Sequence, residues 1–269
     1  MSDPTIETGR LDIEAVKKTL AAHGFGANLH YSGVLASTSD RLIGLAGEGH
    51  PQGTVVIAEH QTAGRGRQGR SWHSPAGLGL YLSLLLRPGL PAGRLSGLTL
   101  ALGVSAAETA ERISGIPVEV KWPNDLYCRG RKTGGILTEL HTIGWLVQTV
   151  VVGLGLNVNN RDLPPELSPS ATSLSLESGK HLSREQLLAE MLGAWEQDYG
   201  IFLERGLSAF AQRLEDKLML KGREVQVECG DQTFCGLLAG CDQEGGLLLT
   251  DRQGGLVKCL SGTLREVIR

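Results

Sequence analysis

The apolar positions of this chain change their rhythm several times, and each change predicts a different element. Leu11, Ile13, Val16 and Leu20 recur at a loosely helical spacing that the glycines at 24 and 26 end, which predicts one short N-terminal helix. Ser37 is a good N-cap, so residues 37–46 read as a second helix, while the β-branched run TVVIAE over residues 54–59 reads as a buried strand. Residues 80–86 predict another strand, and residues 94–113 a long helix rich in Leu and Ala that must lie against a sheet. Strands are further predicted over residues 118–122, 136–140 and 145–154, followed by a polar, proline-bearing loop over residues 157–170.

Ser183 and Gln186 form a capping-box signature. Leu188, Met191, Leu192, Trp195, Tyr199 and Phe202 then repeat on one helical face, as a helix buried in a core requires. A helix over residues 208–220 ends near Gly222. Beyond it, short β runs at 224–228, 233–238, 247–250 and 256–260 alternate with glycine-bearing turns, which predicts a small β-barrel. Strands and helices mix without strict βαβ alternation, so the predicted class is α+β with a mixed or antiparallel sheet.

Length and charge narrow this picture. A chain of 269 residues has room for one sizeable core and a smaller second domain, with boundaries expected at residues 1–28, 29–220 and 221–269. A net charge of -3 argues against a broad nucleic-acid-binding face, and too little chain precedes Tyr31 for a helix-turn-helix. No DNA partner is therefore expected. The N-terminus has neither the basic start nor the apolar run of a signal peptide and no stretch reaches the length of a membrane span, so a cytoplasmic protein without a membrane partner is expected. Five cysteines without a C-x-x-C pair suggest reduced thiols and no structural zinc.

Four segments carry candidate chemistry. The first, Gly64 to Arg70 (GRGRQGR), satisfies the glycine spacing of a dinucleotide fingerprint, yet no helix follows it and no Lys-Ser/Thr completes a phosphate loop. What remains is Arg65, Arg67 and Arg70 alternating with residues that leave backbone N–H groups open, which suits a polyanion. The arginines repel one another when the loop is empty, so it is expected to be mobile without ligand. The second segment holds Lys121, Trp122, Pro123, Asn124 and Asp125: Pro123 ends a strand, Asn124 has the donor and acceptor that a purine edge needs, and Asp125 can hold a ribose hydroxyl or Mg²⁺. In the third, Lys132 stands ahead of Gly134 and Gly135, which let backbone approach a ligand. The fourth is Gly153 to Asn157 (GLGLN), an apolar strand ending in an amide. Each alone also fits a plain turn or bulged strand.

With these four segments in this order, the chain resembles the biotin protein ligases from about Tyr31 to Arg269. The resemblance implies a class II aminoacyl-tRNA synthetase-like catalytic domain, a mixed sheet with helices packed on one side, followed by a small SH3-like β-barrel. It implies that ATP activates biotin as biotinyl-5′-AMP with release of pyrophosphate, assisted by Mg²⁺, and that biotin then passes to a lysine of a biotin carboxyl carrier protein. It also implies that Ser37, Thr38, Gln61, Gly64, Arg65, Arg67, Lys132, Gly134 and Gly135 meet biotin. Arg65, Gly66, Arg67, Gly69, Arg70, Trp72, Asn124, Asp125, Asn157 and Arg265 would meet the nucleotide, with Lys132, Arg67 and Arg65 catalytic. No metal ligand is singled out. Pairing of two copies through their central sheets is a further implication.

The chain departs from the family pattern in three places. It reads Ala36-Ser37-Thr38-Ser39 where the family often has Asp-Ser-Thr-Asn, it has no aromatic residue near Ala171 to cover an adenine, and the N-terminal DNA-binding domain of bifunctional members is not expected. A lipoate-ligase-like acyl-adenylate enzyme and a biotin-binding regulatory module stay open as alternatives at this stage.

Overall fold

The computed structural model describes residues 9–20 and 24–267. The β-rich stretches form the strands of one central sheet: β1 (Leu29–Leu35), β2 (Val55–Gln61), β3 (Gly79–Leu86), the short β4 (Leu90–Pro91), β5 (Glu119–Lys121), β6 (Asp125–Cys128), β7 (Arg131–Ile143) and β8 (Leu146–Asn157). Its order is β1-β2-β3-β8-β7-β6-β5, with β4 also paired to β8. β1 and β2 run parallel and the other pairs antiparallel, so the sheet is mixed as predicted. A second sheet is built from β9 (Glu224–Cys229), β10 (Gln232–Cys241), β11 (Leu247–Thr250), β12 (Leu256–Cys259) and β13 (Thr263–Glu266). It is wholly antiparallel in the order β12-β11-β10-β9-β13, and among the described residues its two end strands are not hydrogen-bonded to each other.

Helices cover both faces of the central sheet. α1 (Ile13–Thr19), α3 (Leu98–Ser114), α4 (Leu174–Ser178), α5 (Arg184–Arg205) and α6 (Ala211–Lys217) pack on or around one main core, with Trp195, Phe202 and Phe210 among its fully buried side chains. α2 (Thr38–Gly47) takes the other face. There Leu42 and Leu45 meet Val56, Leu85 and Val151, whose neighbours Val55, Leu84 and Val152 belong to the main core, as two-residue alternation along a strand requires. The expectation that helices pack on one side alone is corrected by this second small cluster.

Caps bear out several helix starts. Asp12, Ser37 and Ser183 accept hydrogen bonds from Ala15, Asp40 and Gln186 N–H groups respectively. The box at Ser183 is only half made, because the Gln186 side chain donates to Glu190 instead.

Other boundaries moved. The strand expected over 118–122 stops at Lys121, and a turn through the cis Trp122–Pro123 peptide leads straight into β6. The strands expected over 136–140 and 145–154 are parts of a much longer hairpin, because cross-strand pairing carries polar residues such as His141 that lack a strand signature of their own. β1, β6, β13 and α4 were not anticipated. The helix expected over 208–220 divides into a 3-10 turn, Leu207–Phe210, and the shorter α6.

The N-terminal stretch is fastened to the core through a buried ion pair. Arg184 of α5 donates to Glu59 Oε2 at 2.8 Å and to Gly79 O at 2.9 Å, and also to Gly9 O. Glu59 of β2 in turn accepts from Leu11 N–H, Gly77 N–H and the Tyr31 hydroxyl. One carboxylate thus joins two strands, a loop, a helix and the N-terminal segment.

Candidate active site

A cleft of about 340 Å³ lies over the central sheet, and all four chemistry-bearing segments reach it. Its inner wall is Ile136, Leu137, Gly153, Leu154 and Gly155 of β7 and β8, and its rim is formed by the arginine loop, the turn from β5 to β6, and residues 163–171. Gly262, Thr263 and Leu264 of the second sheet close one side.

The arginine loop is a hairpin-like turn. Gly66 N–H donates to Arg70 O, Trp72 N–H to Gly64 O, and Gln68 and Gly69 take positive φ values of 57° and 71°. Its guanidinium groups do not simply repel one another. Arg65 reaches Asp40 Oδ1 at 2.7 Å and Glu139 Oε1 at 3.3 Å, and Arg67 donates to Asn124 Oδ1 at 3.3 Å. Neighbouring carboxylates and an amide therefore offset part of the repulsion expected among these guanidinium groups. Burial lowers the Arg67 pKa from its ordinary value, with nearby Asp125 opposing and Arg70 adding to that shift. A half-buried cation disfavoured by desolvation gains from an anionic ligand.

Near Arg67, Lys132 Nζ lies 2.7 Å from Asp125 Oδ1 and 5.5 Å from the centre of the Trp72 ring. Asp125 is the only carboxylate lining the cleft among the described residues. Lys121 sits beside it, 4.9 Å from the Tyr127 ring centre; burial lowers its pKa, Asp125 opposes, and Lys132 and Arg265 add to the lowering. Burial and Asp125 push the Tyr127 hydroxyl up to about 12, so it stays protonated and able to donate near neutral pH.

At the inner end Ser37, Thr38, Ser39 and Gln61 meet. Thr38 N–H donates to Gln61 Oε1 at 2.9 Å, and the buried Ser83 hydroxyl lies 2.8 Å from that of Thr38 and 3.0 Å from that of Ser39. Polar groups thus gather at one end, cations at the other, and leucine side chains lie between them.

Several expected residues stand elsewhere or have second uses. Gly64, Gly69, Gly134 and Arg265 are not part of the cleft lining. A Cβ on Gly134 would fall 2.9 Å from Leu156 Cδ1 and 3.0 Å from Gly155 O, so this glycine serves strand packing and not ligand approach. Gly155 makes room for Trp72, since a Cβ there would run into the indole ring. The Trp72 ring N–H is buried without a partner, leaving a donor in the cleft wall. Arg265 faces Glu228 at 3.4 Å and is mostly exposed.

Asn124 and Asn157 each use part of their amide on the backbone, donating to Ile136 O at 2.8 Å and Thr172 O at 3.0 Å. Sequence reasoning missed Ser83, Tyr127 and residues 163–171. Ser83 sits in an unbroken apolar run, and only the polar residue itself in LYLSLLL signalled it. Residues 163–171 reach the cleft because Lys132 N–H donates to Ser170 O and Thr172 N–H to Lys132 O, a pairing between segments about 40 residues apart.

Comparison with known proteins gives consistent matches. Residues 33–157 match the model of the Biotin/lipoate A/B protein ligase family. The bifunctional ligase/repressor BirA of Bacillus subtilis is 37% identical over 91% of this chain and 76% of its own length. The biotin--[acetyl-CoA-carboxylase] ligase of Mycobacterium tuberculosis is 32% identical over 89% and 90%. Among solved structures, a biotin protein ligase from Aquifex aeolicus in complex with biotin and ATP has a TM-score of 0.79 and 35% identity, covering 89% of this chain and 99% of that one.

Proposed function

The chain belongs to the biotin protein ligase family, and from that premise we propose that its cleft joins biotin to ATP as biotinyl-5′-AMP with release of pyrophosphate, then passes the biotinyl group to a lysine of a carboxylase's biotin carboxyl carrier protein. The observation that supports this most directly is the polarity of the cleft: a hydroxyl and amide cluster at one end, an apolar middle, and Arg67, Lys121 and Lys132 at the other. A valerate-tailed ureido acid has the same sequence of polar, apolar and anionic parts.

In this reading Ser37, Thr38 and Gln61 face the ureido ring, and Lys132 lies where the carboxylate and α-phosphate meet. Attack of a carboxylate on a triphosphate brings two anions together, so fixed cations lower the barrier by positioning them and by offsetting charge that grows at the α-phosphate. Arg65, Arg67 and Arg70 cover the adenylate, while Asn124, Asp125, Asn157 and Trp72 border the nucleotide. Mg²⁺ fits this site as an ion carried in on the phosphates. Among the described residues Asp125 alone supplies a lining carboxylate, and Mg²⁺ commonly binds through one or two carboxylates plus phosphate oxygens and water. When bound it would neutralise phosphate charge.

Domain boundaries at 28/29 and 220/221, a cytoplasmic location, pairing of two copies and the absence of DNA binding belong to the same proposal. Among the described residues no helix is long and apolar enough to cross a membrane.

Incubation with ATP and either biotin or lipoate, followed by mass spectrometry of the acyl-AMP, tests the reading. Biotinyl-AMP is expected; lipoyl-AMP alone would replace this proposal with the lipoate alternative, and no adduct would favour a binding module. A second expectation concerns the loop. Arg67→Gly removes a charge-assisted donor from the adenylate, so release of biotinyl-AMP in stopped-flow experiments is expected to quicken by about 10- to 100-fold. A release rate equal to that of the parent would remove Arg67 from this role.

A further inference from the structure

Behind the polar end of the cleft, four side chains make a hydrogen-bond chain whose direction can be worked out from donor counts. Thr38 N–H can only donate, so the oxygen of Gln61 must face it, which turns Gln61 Nε2 the other way. Thr38 Oγ1 also lies 3.1 Å from that same Oε1, and a carbonyl oxygen cannot donate, so Thr38 gives its single hydroxyl hydrogen to Gln61. The 2.8 Å contact between Thr38 and Ser83 is then a hydrogen bond only if Ser83 donates. The hydrogen of Ser83 is thereby engaged, and the 3.0 Å contact with Ser39 requires Ser39 to donate to Ser83.

One assignment alone satisfies all three hydroxyl contacts: Ser39 to Ser83, Ser83 to Thr38, Thr38 to Gln61. Ser83 is fully buried on β3, out of reach of water that could reverse the order, while Ser39 lines the cleft with its hydrogen turned away. The register partner of Ser83 on β8 is Gly153, where a Cβ would stand 3.1 Å from Ser39 Oγ, so a larger residue there would crowd Ser39.

We propose that Ser83 is a specificity-determining positioning residue that polarises the head of the acid pocket, making Ser39 an obligate acceptor while Gln61 Nε2 and the Ser37 hydroxyl remain donors. A ring that carries both N–H groups and a carbonyl satisfies both kinds of group. An acid of equal length with an apolar ring leaves Ser39 lone pairs unpaired in a buried place, which is costly. The inference rests on the biotin reading above, and the wild-type acyl-AMP measurement decides that reading separately.

The test is a double-mutant cycle on Ser39→Ala and Ser83→Ala, with KM for biotin and kcat read from pyrophosphate release, and folding checked by thermal melting. Each single variant is expected to raise KM about 10-fold while kcat changes less than 3-fold, because the polar head is remote from the cations at the reacting end. Discrimination between biotin and lipoate, as the ratio of kcat/KM values, is expected to fall at least 5-fold in Ser83→Ala. The double variant is expected to resemble a single one, since both changes break the same chain. A folded Ser83→Ala protein with parental KM and discrimination overturns the proposal, as does a fully additive cycle. Should Ser83→Ala not fold, a parental KM in Ser39→Ala overturns it equally.

Discussion

Lys132→Ala is expected to slow formation of biotinyl-5′-AMP by about 100- to 1,000-fold, the usual consequence of removing one preorganised donor from a site of developing anionic charge. Lys132 is held for that task from three sides. Asp125 accepts from its ammonium at 2.7 Å, the Trp72 ring stands beside it, and its backbone is clamped between Ser170 and Thr172 on a neighbouring segment. Loss of the side chain leaves Asp125 without its ion-pair partner, next to the incoming phosphates, so repulsion adds to the loss of attraction. Biotin itself should bind the variant within a few-fold of normal, because Thr38, Ser83 and Gln61 at the other end are untouched. Pyrophosphate release and calorimetric titration with biotin separate the two effects. Normal pyrophosphate release would assign the reacting end to other groups, Lys121 first among them.

The second large effect is on stability. Glu59→Ala is expected to destabilise the fold by about 3–5 kcal/mol, because it leaves the Arg184 guanidinium buried without its carboxylate. For a chain of this size the melting temperature should fall by on the order of 10 °C. The pair has side-chain exposures of 5% and 1%, so solvent screening gives little relief. Removing both partners as Glu59→Leu with Arg184→Met should cost less than Glu59→Ala alone, since no charge is then stranded. An Ala variant that melts with the parent would show that the pair is dispensable.

The same carboxylate predicts a pH effect. Burial by itself would raise the Glu59 pKa, but the hydrogen bond and charge of Arg184, the Leu11 N–H and the Tyr31 hydroxyl outweigh it and hold the value below the ordinary one. A folded-state pKa below the unfolded one means that the contribution is complete above the unfolded value, near pH 4.5, and is lost as pH falls through the lower folded value. Acid unfolding of the parent should therefore be steeper below about pH 4.5 than that of the Glu59→Leu, Arg184→Met protein.

Much of this is legible in the amino-acid sequence. Helices with one apolar stripe, such as the run from Leu188 to Phe202, and strands with β-branched runs, such as 54–59, declare themselves because burial selects one face at a fixed period. The motif segments were equally legible, since glycine and arginine in GRGRQGR, or proline between Trp122 and Asn124, restrict backbone or bring charge wherever they occur. Local composition therefore determined the α+β class, the smaller C-terminal β unit and the candidate anion clamp.

Tertiary structure decided what depends on partners distant along the chain. Whether Gly134 and Gly155 receive a ligand or the side chains of Leu156 and Trp72 is set by cross-strand register, which no single segment contains. The arginine loop, read from sequence as a self-repelling surface, gains partners because Asp40, Asn124 and Glu139 arrive from three other segments to pair with it. Charge type is a property of the residue, but the sign and distance of the neighbouring charge are properties of the fold, and electrostatic energy depends on both.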